Sequence, residues 1–401
     1  MEPVAAIDIG TTKIVAMVGE KREDGSIMIT GVGHVPSVGV RKGQIIDLGN
    51  VTVCVKSALE MAEQTSNVNL GSVYVSVSGG HIRGKLNSGS IPILDAEGGV
   101  SEEDIDEVGE IARAVNIPDD RQIIHTIHRR FSVDDQEQVV NPCGMLGSRL
   151  SLEMLVLHGS SSQLKNTSRV LEQLQLDVED AAFSGLCSAL AVLTPEWKKR
   201  GAVVIDLGGG TTDYMAYVDG VAACGGALGV GGDHVTNDIA IAFNMPTKQA
   251  ERLKKERGSA IVEQVAEPSK ILLPAEVGFP ETTVHVRSMQ IVINARMKET
   301  FEMLKGRLEK AGVLSKLGAG VLLTGGGAHL RGVAKLAEQV FGVPCSIGTP
   351  RGVTGIATET NGPEQSACCG LVQYGFRVQR ESESERGSLL GSFVRTLLGT
   401  R

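Results

Sequence analysis

Asp8 and Asp206 each close a run of apolar residues, and each is followed by glycine and a pair of threonines. The first stretch reads Ala5-Ala6-Ile7-Asp8-Ile9-Gly10-Thr11-Thr12-Lys13. The second reads Val203-Val204-Ile205-Asp206-Leu207-Gly208-Gly209-Gly210-Thr211-Thr212-Asp213. Glycine lets backbone N–H groups wrap phosphate oxygens with no Cβ in the way. The hydroxyls of Thr11, Thr12, Thr211 and Thr212 add donors for the same oxygens, and Lys13 adds a point charge suited to phosphate. Asp8 and Asp206, one from each copy, suit a Mg²⁺ ion, which tends to keep its waters and take few carboxylates. One such turn alone reads as a tight hairpin. Two copies, each with its Asp and its Thr-Thr, point to a phosphate site shared by two similar lobes.

A third glycine run, Gly325-Gly326-Gly327, follows the apolar strand Val321–Thr324 and precedes a helix. It leaves bare backbone against which a flat ring can lie. Its spacing is neither that of a Walker A loop nor that of a Rossmann fingerprint, and its weight comes from its place downstream of both phosphate turns. His125 and His128 read as strand-face residues, and no Ser/His/Asp or Cys/His arrangement can be built from the spacing.

These turns need strands and helices to hold them, and the chain alternates the two, which predicts an α/β fold. Val4–Ile9, Lys13–Gly19 and Ser26–Gly33 read as three successive strands, and Val73–Val77 as another. Val51, Val55, Ala58, Leu59 and Ala62 recur at helical spacing and predict a helix over Asn50–Gln64. From Gly84 to Gly159 the rhythm changes: a helix over Glu102–Val115, capped by Ser101 with Asp104 three residues on, then strands at Gln122–Val133 and Arg149–Leu157. The segment reads as a small βαββ-type module inserted in the first lobe, or as part of one larger sheet. Helices are expected over Ser161–Leu176, Gly185–Trp197, Asp233–Phe243, Thr247–Arg257 and Ser288–Lys310, with a second strand-rich unit starting at Ala202. Phe376–Ser388, rich in Glu, Ser and Arg with no apolar period, reads as a polar linker.

A chain of 401 residues calls for more than one core. The net charge of −8 and 3% aromatic content argue against a nucleic-acid binder. Seven cysteines without a C-x-x-C pair read as buried small residues in a reducing compartment rather than a zinc site or disulfide scaffold. The N-terminus lacks the basic start of a signal peptide, and no run of eighteen apolar residues occurs, so a cytoplasmic protein is expected.

The three glycine turns, in this order, resemble those of the actin superfamily, which spans actin, MreB, DnaK-type chaperones, sugar kinases and FtsA. The resemblance covers nearly the whole chain and implies ATP, with Mg²⁺, bound between two lobes. In that reading Asp8–Lys13 is the first phosphate loop, Asp206–Asp213 the second and Leu323–Gly327 the adenosine loop. Within the superfamily the chain is most similar to FtsA. The segment from Gly84 to Gly159 stands where FtsA carries its distinctive subdomain. Gly229–Ile239, with Gly232 and Asp233, resembles the stretch opening the upper subdomain of the second lobe. Lys305-Gly306-Arg307 resembles the pair flanking the adenine, against the alternative of a solvated helix face. The implied layout is a first lobe of residues 1–83 and 160–200, the insert at 84–159, a second lobe at 201–375 with its upper part near 233–310, then linker and tail. The implied function is an actin-like division protein that polymerises, binds FtsZ through the second lobe, tethers the FtsZ ring to the cytoplasmic face of the cell membrane at the septum and recruits later division proteins. A PilM-like assembly protein is the nearest alternative, ahead of a small-molecule kinase; a chaperone ATPase would need a substrate-binding domain after residue 376. One departure stands out: where actin and MreB orient the attacking water, this chain reads Phe183-Ser184-Gly185-Leu186-Cys187-Ser188, with Glu179 and Asp180 upstream. No catalytic base is assigned, and hydrolysis is expected to be slow or absent.

The last residues carry a different signal. Leu389, Leu390, Phe393, Val394, Leu397 and Leu398 fall on one helical stripe, with Ser392, Arg395, Thr396 and Gly399 opposite. A dozen residues cannot span a bilayer but can lie in its surface, so the stripe predicts a membrane-targeting helix or, alternatively, one docked on the protein's own body.

Overall fold

A computed structural model describes residues 2–95, 97–262, 270–275, 278–279, 281–355 and 361–387. Its first half runs β1 (Val4–Ile9), β2 (Lys13–Lys21), β3 (Ile27–Pro36), β4 (Val40–Arg41), β5 (Gln44–Ile45), α1 (Leu48–Ser66), β6 (Ser72–Val77), β7 (Arg83–Pro92), α2 (Glu102–Arg113), β8 (Arg121–Val133), β9 (Gln136–Val139), β10 (Arg149–Ser160), α3 (Ser161–Glu172), β11 (Asp177–Phe183), α4 (Ser184–Val192) and α5 (Pro195–Arg200). The second half runs β12 (Ala202–Leu207), β13 (Thr212–Val218), β14 (Val221–Leu228), α6 (Gly232–Ala242), α7 (Thr247–Arg257), β15 (Lys270–Leu273), β16 (Thr282–His285), α8 (Val286–Lys310), β17 (Gly320–Thr324), α9 (Val333–Phe341), β18 (Cys345–Ile347), β19 (Val353–Gly355) and α10 (Ser366–Gly387).

The echo between the two glycine turns extends to whole sheets. One sheet has the order β11-β6-β1-β2-β3, closed by β19; the other contains β18-β17-β12-β13-β14. In each, three parallel strands lead to a strand that turns back through an antiparallel pair. β12 is buried on both faces, so it reads as a continuous apolar run. Ala202 and Val204 join the core shared with the first sheet, while Val203, Ile205 and Leu207 face the core under α6, α8 and α9. The five periodic residues of α1 are all buried.

The insert is β7-β10-β8-β9 with α2 on one face and a small core of its own around Val108, Leu150, Leu152 and Met154. It has one strand, β9, more than the sequence suggested. Both readings of it hold in part, because β7 continues the second sheet from β14 through one bridge, Arg83 to Gly226. Arg129 Nε also donates to Ala222 O at 2.9 Å.

Three expectations need correction. The helix expected over Gly185–Trp197 breaks at Leu193: Pro195 starts α5, and the Thr194 side chain accepts from Trp197 N. The linker expected at Phe376–Ser388 is helical as far as Gly387, because α10 runs unbroken through it. Cys187, Cys368 and Cys369 are buried, but Cys54, Cys224 and Cys345 are only partly so, and Cys143 is exposed. The tail stripe from Leu389 lies outside the described residues, and among these no helix is long and apolar enough to cross a membrane.

Candidate functional site

The two glycine turns have the same length and the same internal bond. Gly10 N donates to Lys13 O at 3.0 Å, and Gly208 N to Thr211 O at 2.9 Å. Strand register completes the match, since Asp8 pairs with Val15 and Asp206 with Asp213. Structurally, Thr11-Thr12-Lys13 therefore stands opposite Gly209-Gly210-Thr211, and the sequence echo of Thr-Thr is displaced. Thr212 is corrected accordingly: it lies in β13, fully buried, and its hydroxyl donates to Val230 O at 2.8 Å. Thr211 keeps its hydroxyl at the turn.

The turns face each other at contact distance. A Cβ on Gly209 would collide with the Thr12 side chain, and one on Gly210 with Thr11 Oγ1 and Lys42 Cα. Gly43 N donates to Thr11 Oγ1 at 3.0 Å, which adds the β4–β5 hairpin to the wall. From the other side α6 grips the second turn: Gly232 N donates to Gly208 O at 2.9 Å and Asp233 N to Gly209 O at 2.8 Å. Because a trans peptide sets N–H opposite C=O, the N–H groups of Gly209 and Gly210 turn away from α6. Lys254 Nζ holds the start of α6 through Gly232 O at 3.0 Å and Thr236 Oγ1 at 2.8 Å, and pairs with Glu251 at 2.6 Å.

Three carboxylates converge beneath the turns, and each accepts a hydrogen bond from a serine. Ser76 bonds Asp8; Ser188 Oγ donates to Asp206 at 2.5 Å; Ser78 Oγ lies 2.7 and 2.9 Å from the two oxygens of Asp213. Burial raises all three carboxyls above the usual range. Asp206, with Asp8 adding to the effect, is pushed up to about 6. Asp213 rises further still through burial and then through the nearness of Asp206. Asp206 and Asp213 are direct cross-strand partners, an arrangement of like charges that disfavours itself unless a cation or proton intervenes. Among the described residues no group of three or more His, Cys, Asp or Glu is disposed to hold a metal ion directly. An all-oxygen carboxylate set is the chemistry that suits a hydrated Mg²⁺, which keeps its waters and takes few carboxylates directly.

The third turn closes the site from the side of β17. Thr324 pairs with Asp206, and Gly325, at φ 79°, sits so that a Cβ would strike Asp206 Oδ1. Gly326 and Gly327 begin a short 3₁₀ turn over Leu207. Thr324 Oγ1 lies 2.9 Å from Pro363 O and 2.6 Å from Ser366 Oγ, and His329 Nε2 lies 2.5 Å from Glu364 Oε2. The same segment takes Lys13, whose Nζ donates to Glu364 O at 2.7 Å.

The structure does not bring Lys305 and Arg307 to this turn. Lys305 Nζ donates to Val340 O at the far end of α9, and Arg307 Nη1 to Ala227 O, both at 2.9 Å. The part of α8 near the third turn is Asn294, which reaches Ala260 O, itself next to Arg331. Eleven residues of helix, about 16 Å, separate Asn294 from Lys305. Asp180 is also turned elsewhere, accepting from Tyr374 OH at 2.6 Å, and His125 Nε2 accepts from Phe183 N at 2.9 Å. Sequence reasoning missed Ser76, Ser78, Ser188 and Asp213. The signal for the first two was their spacing of two on a strand, which puts both on one face.

What these elements assemble is a set of backbone N–H groups, hydroxyls and one ammonium around buried carboxylates, a chemistry for a polyanion accompanied by a hard cation. The family model described as cell division protein FtsA matches residues 203–370, and that of the SHS2 domain inserted in FtsA matches 79–158. The cell division protein FtsA of Escherichia coli (strain K12) is 33% identical over 405 residues, covering 98% of this chain and 96% of its own. That of Borreliella burgdorferi is 34% identical over 388 residues, covering 96% and 94%. Among solved structures, a PilM-PilN type IV pilus biogenesis complex superposes with TM-score 0.65 at 16% identity, covering 93% of this chain and 98% of that one. MreB5 of Spiroplasma citri bound to AMPPNP gives 0.58 at 14% identity, covering 96% and 99%. These two likenesses show the fold, a two-lobed actin-like α/β architecture.

Proposed function

The chain belongs to the FtsA family of cell division proteins, and from that premise we propose that it binds MgATP between its lobes, polymerises at the cytoplasmic face of the membrane at the division septum, and tethers the FtsZ ring there. Later division proteins are recruited to the resulting polymer. The observation that carries the nucleotide part is the pair of facing turns, where only glycine fits and the freed N–H groups of Gly209 and Gly210 turn from α6. Gly10, Thr11, Thr12 and Lys13 hold phosphate from one lobe, and Gly208, Gly209, Gly210 and Thr211 from the other. Asp8 and Asp206 anchor the hydrated Mg²⁺, which when bound neutralises the phosphate charge. Gly325, Gly326 and Gly327 form the bare backbone against the adenosine, and Gly232 and Asp233 set the second turn. AMPPNP in the MreB5 structure supports the choice of ligand.

FtsZ tethering rests on the family and on the apolar stripe Leu389 to Leu398, which follows directly on α10. Anchoring and polymerisation belong together, because a short tail binds weakly until many copies act at once. The likeness to PilM supports a shared fold and no pilus role. Co-pelleting with FtsZ filaments and with liposomes is the test: retention of the chain by both, and joint recovery of all three, is expected. A chain that pellets with neither would refute the tether.

A further inference from the structure

The end of the molecule away from the cleft gathers cations around α5. β12 runs from Ala202 towards Asp206, so α5, which ends at Arg200, lies at the opposite end of the second sheet. β17 is parallel to β12 and starts level with Ala202, which brings the 3₁₀ turn Leu314–Lys316 to the same end, and Gly318 N donates to Arg200 O at 3.0 Å. Lys199, Arg200 and Lys316 are exposed there. Lys198 lies 4.6 Å over the ring of Tyr217, and Arg351 4.8 Å over that of Trp197. α10 reaches this end from the cleft: Gly375 packs so closely on Val4, the start of β1, that a Cβ would collide. Two residues on, exposed Arg377 is near enough to Lys198 to add to burial in lowering that ammonium to about 8. Among the described residues no ion pair joins Lys198, Lys199, Arg200, Lys316 or Arg351 to a carboxylate. Glu196 is the one acid on α5. Asp219, in the turn whose Gly220 N donates to Lys198 O at 2.9 Å, is taken by Arg130 at 3.1 Å. On α10 Glu381 and Glu383 offset Arg377 and Arg380, and around the β2–β3 turn Glu20, Glu23 and Asp24 offset Lys21 and Arg22. The positive excess is therefore centred on α5, in a chain whose net charge is −8.

We infer that this end face is a second membrane contact, docking on the anionic headgroups of the bilayer that the tail enters. The inference rests on the tail reading above. The helix that passes the face also delivers the tail: ten residues of α10, about 15 Å, run from Arg377 to Gly387. Attraction between a basic cluster and an anionic surface fades within a Debye length, about 8 Å. Both contacts therefore form together only where the last turns of α10 lie along the bilayer rather than stand upon it. That sets how the body is held, with α5 towards lipid and the cleft away from it. α5 has the composition for the place: Trp197 followed by Lys198, Lys199 and Arg200, a ring and cations of the kind that settle at headgroup level. Surface charge alone holds weakly, so the face orients what the tail retains.

Trp197 is the chain's one tryptophan, so its fluorescence reads this face directly. The test uses the full chain with vesicles of phosphatidylcholine, alone or mixed with phosphatidylglycerol, with and without a nitroxide on the headgroup. Wild type is compared with a triple variant, Lys199→Gln, Lys316→Gln and Arg377→Gln, and with the tail variant Leu390→Glu, Leu397→Glu, each checked by a melting curve. The triple variant is expected to partition at least about tenfold more weakly onto vesicles containing phosphatidylglycerol, and equally onto phosphatidylcholine alone. At equal bound fraction the nitroxide should quench Trp197 in the wild type and not in the triple variant. Lys165→Gln, Lys248→Gln and Lys335→Gln, which make the same change in net charge on α3, α7 and α9, should partition as wild type. Where the triple variant melts early, Lys199→Gln with Lys316→Gln, which leaves α10 untouched, makes the same comparison. A wild type that binds neither vesicle, or a tail variant that binds as wild type does, overturns the tail reading and this inference with it. Tail-dependent binding with wild-type partition by the folded triple variant overturns the end face alone. So does bound wild type whose Trp197 escapes the nitroxide, or an equal loss in the variant with its lysines changed elsewhere. A triple variant that loses binding to polyglutamate while its lipid partition is unchanged would give the face to an acidic protein, and overturns the lipid assignment.

Discussion

Asp206 is the residue on which the cleft turns. It is the penultimate residue of β12, accepts from Ser188, faces Asp213 across the hairpin and stands under Gly325. Asp206→Ala and Lys13→Ala each remove a charged contact worth about 1.5–3 kcal/mol, so each should weaken MgATP about 10- to 100-fold by direct titration. Unchanged affinity in both variants would remove the nucleotide from this cleft. Lys13 has a second commitment to Glu364 O, so its loss should also loosen the segment before α10. The pH dependence follows from burial. Asp206 sits near 6 when folded against an ordinary 3.8, so between these values the folded state holds more protons than the unfolded one. Its contribution to stability is present at low pH and is lost as pH rises through about 6. Without nucleotide, the wild type should therefore lose melting temperature relative to Asp206→Asn between about pH 4 and pH 7. A constant gap between the two would show that Asp206 ionises normally. The aspartates and glycines were legible because turn chemistry is local. Thr212 and the serines were not: a repeated motif carries no register, and nothing in Ser76-Val77-Ser78 names the distant strand it will face.

At the scale of elements, legibility followed capping and periodicity. α2 was read from Ser101 and Asp104, and the structure has the full capping box, with Ser101 Oγ accepting from Asp104 N at 3.1 Å and Asp104 Oδ2 accepting from Ser101 N at 2.8 Å. Ser101→Ala should cost about 1 kcal/mol in chemical denaturation, felt first in the insert, whose small core depends on Val108 and Ala112 of this helix. Full stability in that variant would mean that α2 docks by packing alone. α10 was misread past Phe376 for the complementary reason. Its buried face, Cys368, Cys369, Leu371, Val372 and Phe376, lies at the start, packed against α4 and the first sheet. Once that face has nucleated the helix, each further residue adds a hydrogen bond at little cost, and Glu and Arg are good helix formers. A stretch with no apolar period is then carried as helix by the residues before it. The break between α4 and α5 was written in Thr194-Pro195, a cap and a first-turn proline that the apolar run around them concealed.

At the scale of the molecule, two sheets of matching order bring their first hairpins together, and α10 leaves the cleft from the segment that Lys13 and Thr324 hold. That path links the cleft to the tail. Since α10 is helical through Gly387, the last described residue, a polar linker of the expected length does not separate its start from the stripe at Leu389. Its few basic residues, Arg395 and Arg401 beside Arg386, each add on the order of 1 kcal/mol near anionic lipid. Gly391 and Gly399 disfavour a free helix, so under the proposed tether the stripe is expected to fold only against an apolar surface such as lipid. One copy should therefore bind weakly and reversibly, and a polymer firmly. Ending the chain at Gly387, or changing Leu390 and Leu397 to Glu, should release the protein from anionic liposomes in a flotation assay while AMPPNP affinity stays as it was. Because the cleft and α10 remain whole in both variants, a change in nucleotide binding would point to a tail docked on the protein's own body. Truncated protein that floats as the full chain does would place the membrane anchor elsewhere in the molecule.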